Sequence, residues 1–275
     1  MSPAATHDSF VDDIAREVLA TLGSGRQIAP FSGRPGGLTA DDANRILARL
    51  GQAFQARGER LVGRKIGFTN RTIWPEYGVY APNWGFVTDR TVRDLSAGAT
   101  LPLKGFVEPR IEPEIVFGLS RAPAPDMDEA ALAGCIDWIA HGFEIVQSPF
   151  PHWKFAPADT VACNALHGAL LIGPRHAFQP RAADWLRELA IFQIDLERNG
   201  ALADSGHAAN VLDSPFLALR HLVELLADDP VNPPLAAGEI VSTGTLTRAL
   251  PVKPGESWRT RLSGIALEGI EVRFA

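Results

Sequence analysis

The stretch Arg110-Ile-Glu112-Pro-Glu114-Ile-Val-Phe-Gly-Leu119 decides how this chain is read. Its length and apolar residues predict a β-strand over 111–119, and the two-residue period of a strand puts Glu112 and Glu114 on one face. Two carboxylates held side by side repel, and an apolar strand does not tolerate them without a cation or a shared proton. A divalent metal meets both needs. The plainer alternative is a solvated face whose polar half the glutamates supply.

Outward from there, Trp138-Ile-Ala-His141-Gly-Phe-Glu144-Ile-Val146 again carries a carboxylate in mid-strand, where Val or Thr is expected. Three such groups, Glu112, Glu114 and Glu144, suit a hard ion that prefers oxygen, Mg2+ or Mn2+, whereas zinc would recruit His or Cys. In Leu61-Val-Gly-Arg-Lys65-Ile-Gly-Phe-Thr69, Lys65 alternates onto the face of Gly63 and Gly67, small neighbours that leave room for a ligand. A lysine there needs an anion, such as a substrate carboxylate or enolate, or serves as acid/base if desolvation lowers its pKa. The bland alternative is an exposed lysine on a half-solvated strand.

Further strands are expected over 61–68, 138–146, 166–172, 189–197, 239–243 and 265–274, and helices over 130–134, 182–187 and 215–226. Upstream, Phe10, Ile14, Val18, Leu19 and Leu22 recur at helical spacing before Gly23, and Thr39-Ala-Asp-Asp opens a second helix reaching Phe54. The Gly/Pro-rich segment over 31–37 between these helices reads as a lid. Strands outnumber helices without regular βαβ alternation, and neither GxGxxG nor GxxxxGK[ST] occurs. The expected fold class is therefore α+β, with a helical part over 1–60 and a β-rich catalytic domain over 61–275.

Of 275 residues, 46% are hydrophobic and 21% charged, which excludes disorder, collagen and coiled coil. Lys+Arg 26 against Asp+Glu 32 gives a net charge of -6, the wrong sign for a nucleic-acid partner. Cys135 and Cys163 stand in neither CxxC nor zinc-knuckle spacing and read as packing residues of a soluble, cytoplasmic protein. No stretch approaches a membrane span. Ser205 and Ser214 lack a GxSxG context, so a serine hydrolase is unsupported. Asp159 and Asn164 read as a helix start and a turn, and Trp74, Trp84 and Trp153 as candidate pocket walls.

An ordered set of motifs carries a resemblance. Gly63-Arg-Lys-Ile-Gly-Phe-Thr-Asn70, Tyr77-Gly-Val79 with Pro82-Asn-Trp-Gly85, Glu112-Pro-Glu114, Glu144-Ile-Val146, Trp153-Lys154 with Asp159-Thr-Val-Ala162, and Gly244-Thr-Leu-Thr247 with Pro251-Val-Lys-Pro-Gly255 fall in sequence. The chain resembles the 2-keto-4-pentenoate hydratase and 4-oxalocrotonate decarboxylase family of the fumarylacetoacetate hydrolase superfamily. The resemblance implies a mixed β-roll with an N-terminal helical part and Mg2+ or Mn2+ held by Glu112, Glu114 and Glu144. It also implies a homo-oligomer acting on small 2-oxo or 2-hydroxydienoic acids from aromatic-compound degradation. Lys65 would complement the enolate's charge, Thr245 and Lys253 would hold the substrate's far end or carboxylate, and Lys154 and His152 are further substrate-binding candidates.

Three departures matter. Hydratases of the family usually carry Asp where Asn83 stands, and a segment like Asp-Asn-Ala-Ser-Ser where this chain has Cys163-Asn-Ala-Leu-His167. An Asn at catalytic position 83 is no general base near neutrality, so His167 or His152 is the candidate to take over. Gln147 replaces an acid common in the family. The expected activity is a metal-dependent lyase that adds water to a 2-hydroxy-2,4-dienoate. Its rivals are decarboxylation of a 2-oxo-3-enedioate, C–C hydrolysis of an acylpyruvate, and an inactive partner subunit.

Overall fold

The structure, a computed structural model, describes residues 3–95 and 99–275. Helices α1 (Pro3–Thr21) and α2 (Ala40–Ala56) open the chain. α2 begins on the expected signal: the Thr39 hydroxyl accepts from the Asp42 amide, and the Asp42 carboxylate accepts from the Thr39 amide. The segment over 31–37 is not free to act as a lid. Phe31 is fully buried, edge-on to Phe150 at 5.9 Å, and the amide and hydroxyl of Ser32 both donate to Asp159.

Next along the chain come β1 (Leu61–Gly67), α3 (Trp74–Tyr77), β2 (Asn83–Thr88), β3 (Val92–Asp94) and β4 (Thr100–Leu101). The central elements are β5 (Arg110–Leu119), α4 (Glu129–Ala133), β6 (Ile136–Val146), α5 (Pro157–Ala162), β7 (His167–Ala177) and α6 (Ala182–Ile191). The chain ends with β8 (Gln193–Arg198), β9 (Ala201–His207), α7 (Pro215–Ala227), β10 (Ile240–Ser242), β11 (Leu250–Pro251), β12 (Ser257–Ser263) and β13 (Glu271–Phe274).

The larger sheet runs β2-β1-β10-β5-β6-β7-β3 with β11 on β5, and the smaller runs β4-β13-β12-β8-β9. Although β2 and β7 stand far apart in the first order, Val87 of β2 and Leu170 and Ile172 of β7 share one buried cluster with Val116 and Ala140. The sheet therefore curls until its inner face meets itself. Glu112 and Glu114 alternate with Val116 onto that inner face. On the outer face, Ile115, Phe117 and Leu119 join a core shared with α1, α2, α6 and α7, while Ile111, Phe143 and Ile145 pack against Trp258 and Leu196 of the smaller sheet.

The α+β reading stands, with two local corrections. Residues 189–191, expected in a strand, finish α6 instead, because Trp185 and Leu189 lie four apart on its buried face and strand β8 begins only at Gln193. The strand expected over 265–274 is confined to Glu271–Phe274, and β12 was overlooked although Trp258 and Thr260 alternate with exposed arginines. No helix among the described residues is long and apolar enough to cross a membrane.

Candidate functional site

Register brings the carboxylates together: Glu112 on β5 pairs directly with Glu144 on β6, and Glu114 with Gly142. Each of Glu112, Glu114 and Glu144 offers an oxygen, and these atoms lie within 4.8 Å of one another. Glu114 Oε2 accepts from the Ser242 hydroxyl and from the Gly244 amide at 2.9 Å. Glu144 Oε1 faces His167 Nδ1 at 2.7 Å, and its Oε2 lies 3.3 Å from Lys65 Nζ. Glu114 Oε1 is buried with no hydrogen-bond partner, and Glu144 Oε2 is buried with only the Lys65 ammonium beside it. A buried oxygen without a donor is costly, and three convergent carboxylates facing one ammonium fit a hard divalent cation such as Mg2+ or Mn2+.

Ser242 and Gly244 were not singled out as site residues from sequence. Gly244 has φ 95°, and a Cβ there would lie 1.9 Å from Thr69 Oγ1, so only glycine brings this amide to Glu114. Lys65 reaches in from β1, beside Ser242 of β10, and donates to Ala165 O at 3.0 Å.

The electrostatics follow from burial. Burial, then the charges of Glu144 and Glu112, push the Glu114 carboxyl well above its ordinary range. Burial also lifts Glu112 to about 7, against the pull of Lys65. For Glu144 burial acts upward too, but Lys65 and His167 together hold it below the usual value. Burial alone would lower Lys65, yet the three carboxylates outweigh it and raise it. Three acids thus share one ammonium, and protons or a dication must balance the rest.

A stability prediction follows. Glu112 binds its proton more tightly folded than unfolded, so its contribution is fully present below its ordinary value of 4.5 and is lost as pH rises through about 7. Metal-free protein should melt several degrees lower at pH 8 than at pH 5, and saturating Mg2+ should flatten that slope. Calorimetry with chelator and with Mg2+ reads both, and parallel slopes would separate the trio from metal binding.

Beside the carboxylates lies a small cavity of about 30 Å3, bordered by Lys65, Glu112, Thr245, Phe68, Tyr77 and Trp153. Its non-glycine walls include left-handed backbone at Phe68 (φ 54°), Trp153 (φ 57°), Ala165 (φ 48°) and Leu166 (φ 61°). Such conformations cost on the order of 1 kcal/mol or more each and persist only where packing fixes them. Asn164 supplies part of that fixing, accepting from the Phe86 amide at 2.7 Å and donating to its carbonyl at 2.9 Å.

The other candidates fall in different places. The Thr245 hydroxyl donates to Thr247 O and so turns its lone pairs to the cavity. Asn83 Nδ2 donates to Thr160 Oγ1 at 2.8 Å, while its buried Oδ1 has no partner. A Cβ on Gly67 would meet Asn83 Oδ1 at 2.7 Å and Lys65 Nζ at 3.1 Å, so these two head groups are neighbours across that glycine. His167 stands behind Glu144, not in the cavity. Its Nδ1 is 2.7 Å from Glu144 Oε1 and its Nε2 is 2.9 Å from Thr91 Oγ1. His167 and Gln147 line a separate cavity of about 360 Å3. Lys154, His152 and Lys253 are exposed and do not border the small cavity. Trp84 packs on Phe86, and the Trp74 indole donates to Phe68 O. Asp159 holds Ser32 and the start of α5 at Ala156, a structural task.

The family model described as Fumarylacetoacetate (FAA) hydrolase C-terminal matches residues 81–270, which include all three glutamates. The chain belongs to this family. Among its curated members, the 2-hydroxyhexa-2,4-dienoate hydratase of Comamonas testosteroni is 30% identical over 263 residues, covering 95% of this chain and 97% of the relative. Among solved structures, the 4-oxalocrotonate decarboxylase from Pseudomonas putida G7, complexed with magnesium and adipate, matches with TM-score 0.87 and 25% identity over 98% of both chains. Fumarylpyruvate hydrolase from Pseudomonas aeruginosa, in complex with Mn2+ and pyruvate, shares the fold at TM-score 0.57 and 14% identity, over 78% of this chain and 89% of its own. The family resemblance carried by the motifs is borne out.

Proposed function

We propose that this chain is a Mg2+- or Mn2+-dependent lyase that adds water to a 2-hydroxy-2,4-dienoate in the degradation of aromatic compounds. The observation that carries this reading is the glutamate trio, with carboxylate oxygens within 4.8 Å of one another beside a buried lysine. The likeness to a dienoate hydratase along 95% of the chain supports it. A divalent cation bound by Glu112, Glu114 and Glu144 supplies a Lewis acid for the carboxylate and 2-oxo oxygens of such a substrate and offsets the charge of its enolate.

The chain's own residues do the rest. Lys65, tethered by Ala165 O and Glu144, holds an ammonium against the developing enolate at a buried position, where its field is strong. Asn83 Oδ1 accepts from a water or a substrate hydroxyl beside Lys65 and orients it without taking its proton. Phe68, Val146 and Leu166 give the carbon chain an apolar wall.

Asn83 also favours a second reading, decarboxylation of a 2-oxo-3-enedioate, which needs the same cation site and ammonium but no activated water. Similarity to a decarboxylase over 98% of the chain supports it. The test is a panel of 2-hydroxydienoates, 2-oxo-3-enedioates and acylpyruvates with product masses. Gain of water is expected; loss of CO2 selects the second reading, and two fragments select hydrolysis. Dialysis against chelator should abolish turnover and Mg2+ or Mn2+ restore it. We further read the working form as a cytoplasmic homo-oligomer, on the family resemblance, and light scattering that returns a monomer would overturn that.

A further inference from the structure

The cavity of about 360 Å3 on the far side of His167 shares no bordering residue with the small cavity beside the glutamates. One of its walls is the turn between β2 and β3, with Thr88 and Arg90, next to Phe54 and Arg57 at the end of α2. The opposite wall is the segment 104–106, tied to the turn after α1 by the Gly25 amide, which donates to Gly105 O at 3.1 Å. Gln147, His167 and Gly168 lie between them. The volume falls within the roughly 300–1,000 Å3 of small-molecule sites.

The charges around this space are mostly of one sign. Arg57, Arg90 and Lys104 border it against a single carboxylate, Glu59, which Arg57 already pairs at 2.6 Å. Arg90 donates to Arg57 O, and among the described residues neither Arg90 nor Lys104 has a carboxylate within ion-pair distance. Two buried walls also carry donors that nothing accepts from. Gln147 is 8% exposed, and its Oε1 accepts from the Val107 amide at 3.1 Å, which leaves its NH2 without an acceptor among the described residues. Thr88 is 2% exposed, and its buried hydroxyl has no partner. The strand period puts Thr88 on the face of Phe86, a further wall of the cavity, and away from Val87 inside the curled sheet. Unmet buried donors are costly, and a ligand that brings an acceptor satisfies them. Leu22, Phe54, Phe86 and Phe106 supply the apolar remainder.

We propose that this cavity is a second ligand site, separate from the catalytic one, for a small organic carboxylate with an apolar ring. Gln147 and Thr88 supply donors, Lys104 and Arg90 supply the field, and the ring covers the apolar wall. An inorganic anion would leave that wall uncovered. The site stands whichever reaction the glutamates perform.

The test is titration calorimetry of the Mg2+-loaded full chain with benzoate, its uncharged counterpart benzamide, and inorganic phosphate. Benzoate should bind with Kd below about 1 mM and at least about tenfold tighter than benzamide, and phosphate at about 10 mM should not displace it. Gln147→Glu, which keeps an acceptor for Val107 and adds a negative charge, should weaken benzoate at least about tenfold. Lys104→Gln, at an exposed position that folding does not depend on, should weaken it about threefold. Thr88→Val should also weaken it about threefold while the protein melts no lower, because an unsatisfied hydroxyl is removed. A threonine with only a structural role would instead lower the melting point and leave the affinity unchanged, which would remove Thr88 from the site. Lys65→Met, in the catalytic site, should leave benzoate affinity within about threefold. No benzoate binding up to about 10 mM, equal binding of benzamide, or displacement by phosphate would overturn the proposal. So would a loss in Lys65→Met with none in Lys104→Gln and Gln147→Glu, which would put benzoate on the metal.

Discussion

Glu114→Gln should lower kcat/KM by about a thousandfold or more and weaken Mg2+ binding at least about a hundredfold, while the metal-free protein melts no lower than the wild type. The amide carbonyl can keep the hydrogen bonds from Ser242 and Gly244, which places the NH2 where Oε1 now stands without a donor. Two N–H dipoles then point at the cation. In the metal-free state the change costs little, because Glu114 is already pushed towards its neutral form by burial and by its two neighbours. Losing a buried acid from a like-charged set leaves stability equal or higher. Turnover, calorimetric Mg2+ affinity and melting in chelator together read this pattern, and unchanged Mg2+ affinity would remove Glu114 from the site.

Lys65→Met should also cost about a thousandfold in kcat, yet shift metal affinity in the opposite direction. The ammonium lies 3.3 Å from Glu144 Oε2 and competes with any cation for the same carboxylates. Without it the trio is more negative and Mg2+ should bind up to about tenfold tighter. The metal-free variant should lose on the order of 3 kcal/mol, since the carboxylates lose their buried counter-charge and Ala165 O loses its donor, and saturating Mg2+ should recover most of that. Tighter metal with no turnover would separate holding the cation from using it. Weaker metal binding would mean that Lys65 positions the carboxylates rather than competing for them.

The site was legible where the physics is local. A glutamate in the middle of an apolar strand is visible because charge is rarely buried without a purpose, and period two tells which residues share its face. Lys65, Glu112, Glu114 and Glu144 all follow from that argument. His167, Lys253, Lys154 and His152 were drawn from residue type and from the family resemblance, and the structure sets the first behind Glu144 and the others on exposed turns. Arg110 stood in the stretch that began the reading, but nothing in its immediate sequence says that Trp153 and Tyr77 close around it. The end of α6 and the strand β12 were missed for a related reason: a short apolar run does not say whether a helix partner or a strand partner will cover it.

By itself, then, the sequence determined the α+β class, the face shared by Glu112 and Glu114, the hard-metal chemistry and the family, because each rests on periodicity, burial cost or an ordered set of motifs along one strand of text. Only the tertiary structure decided that Glu112 opposes Glu144, that Ser242 and Gly244 hold Glu114, that Asn83 neighbours Lys65, and that Arg110 lies against Tyr77 and Trp153. Register and the curl of a sheet are set by side chains many residues apart packing into one core, and no local signal in the chain encodes where two such strands will meet.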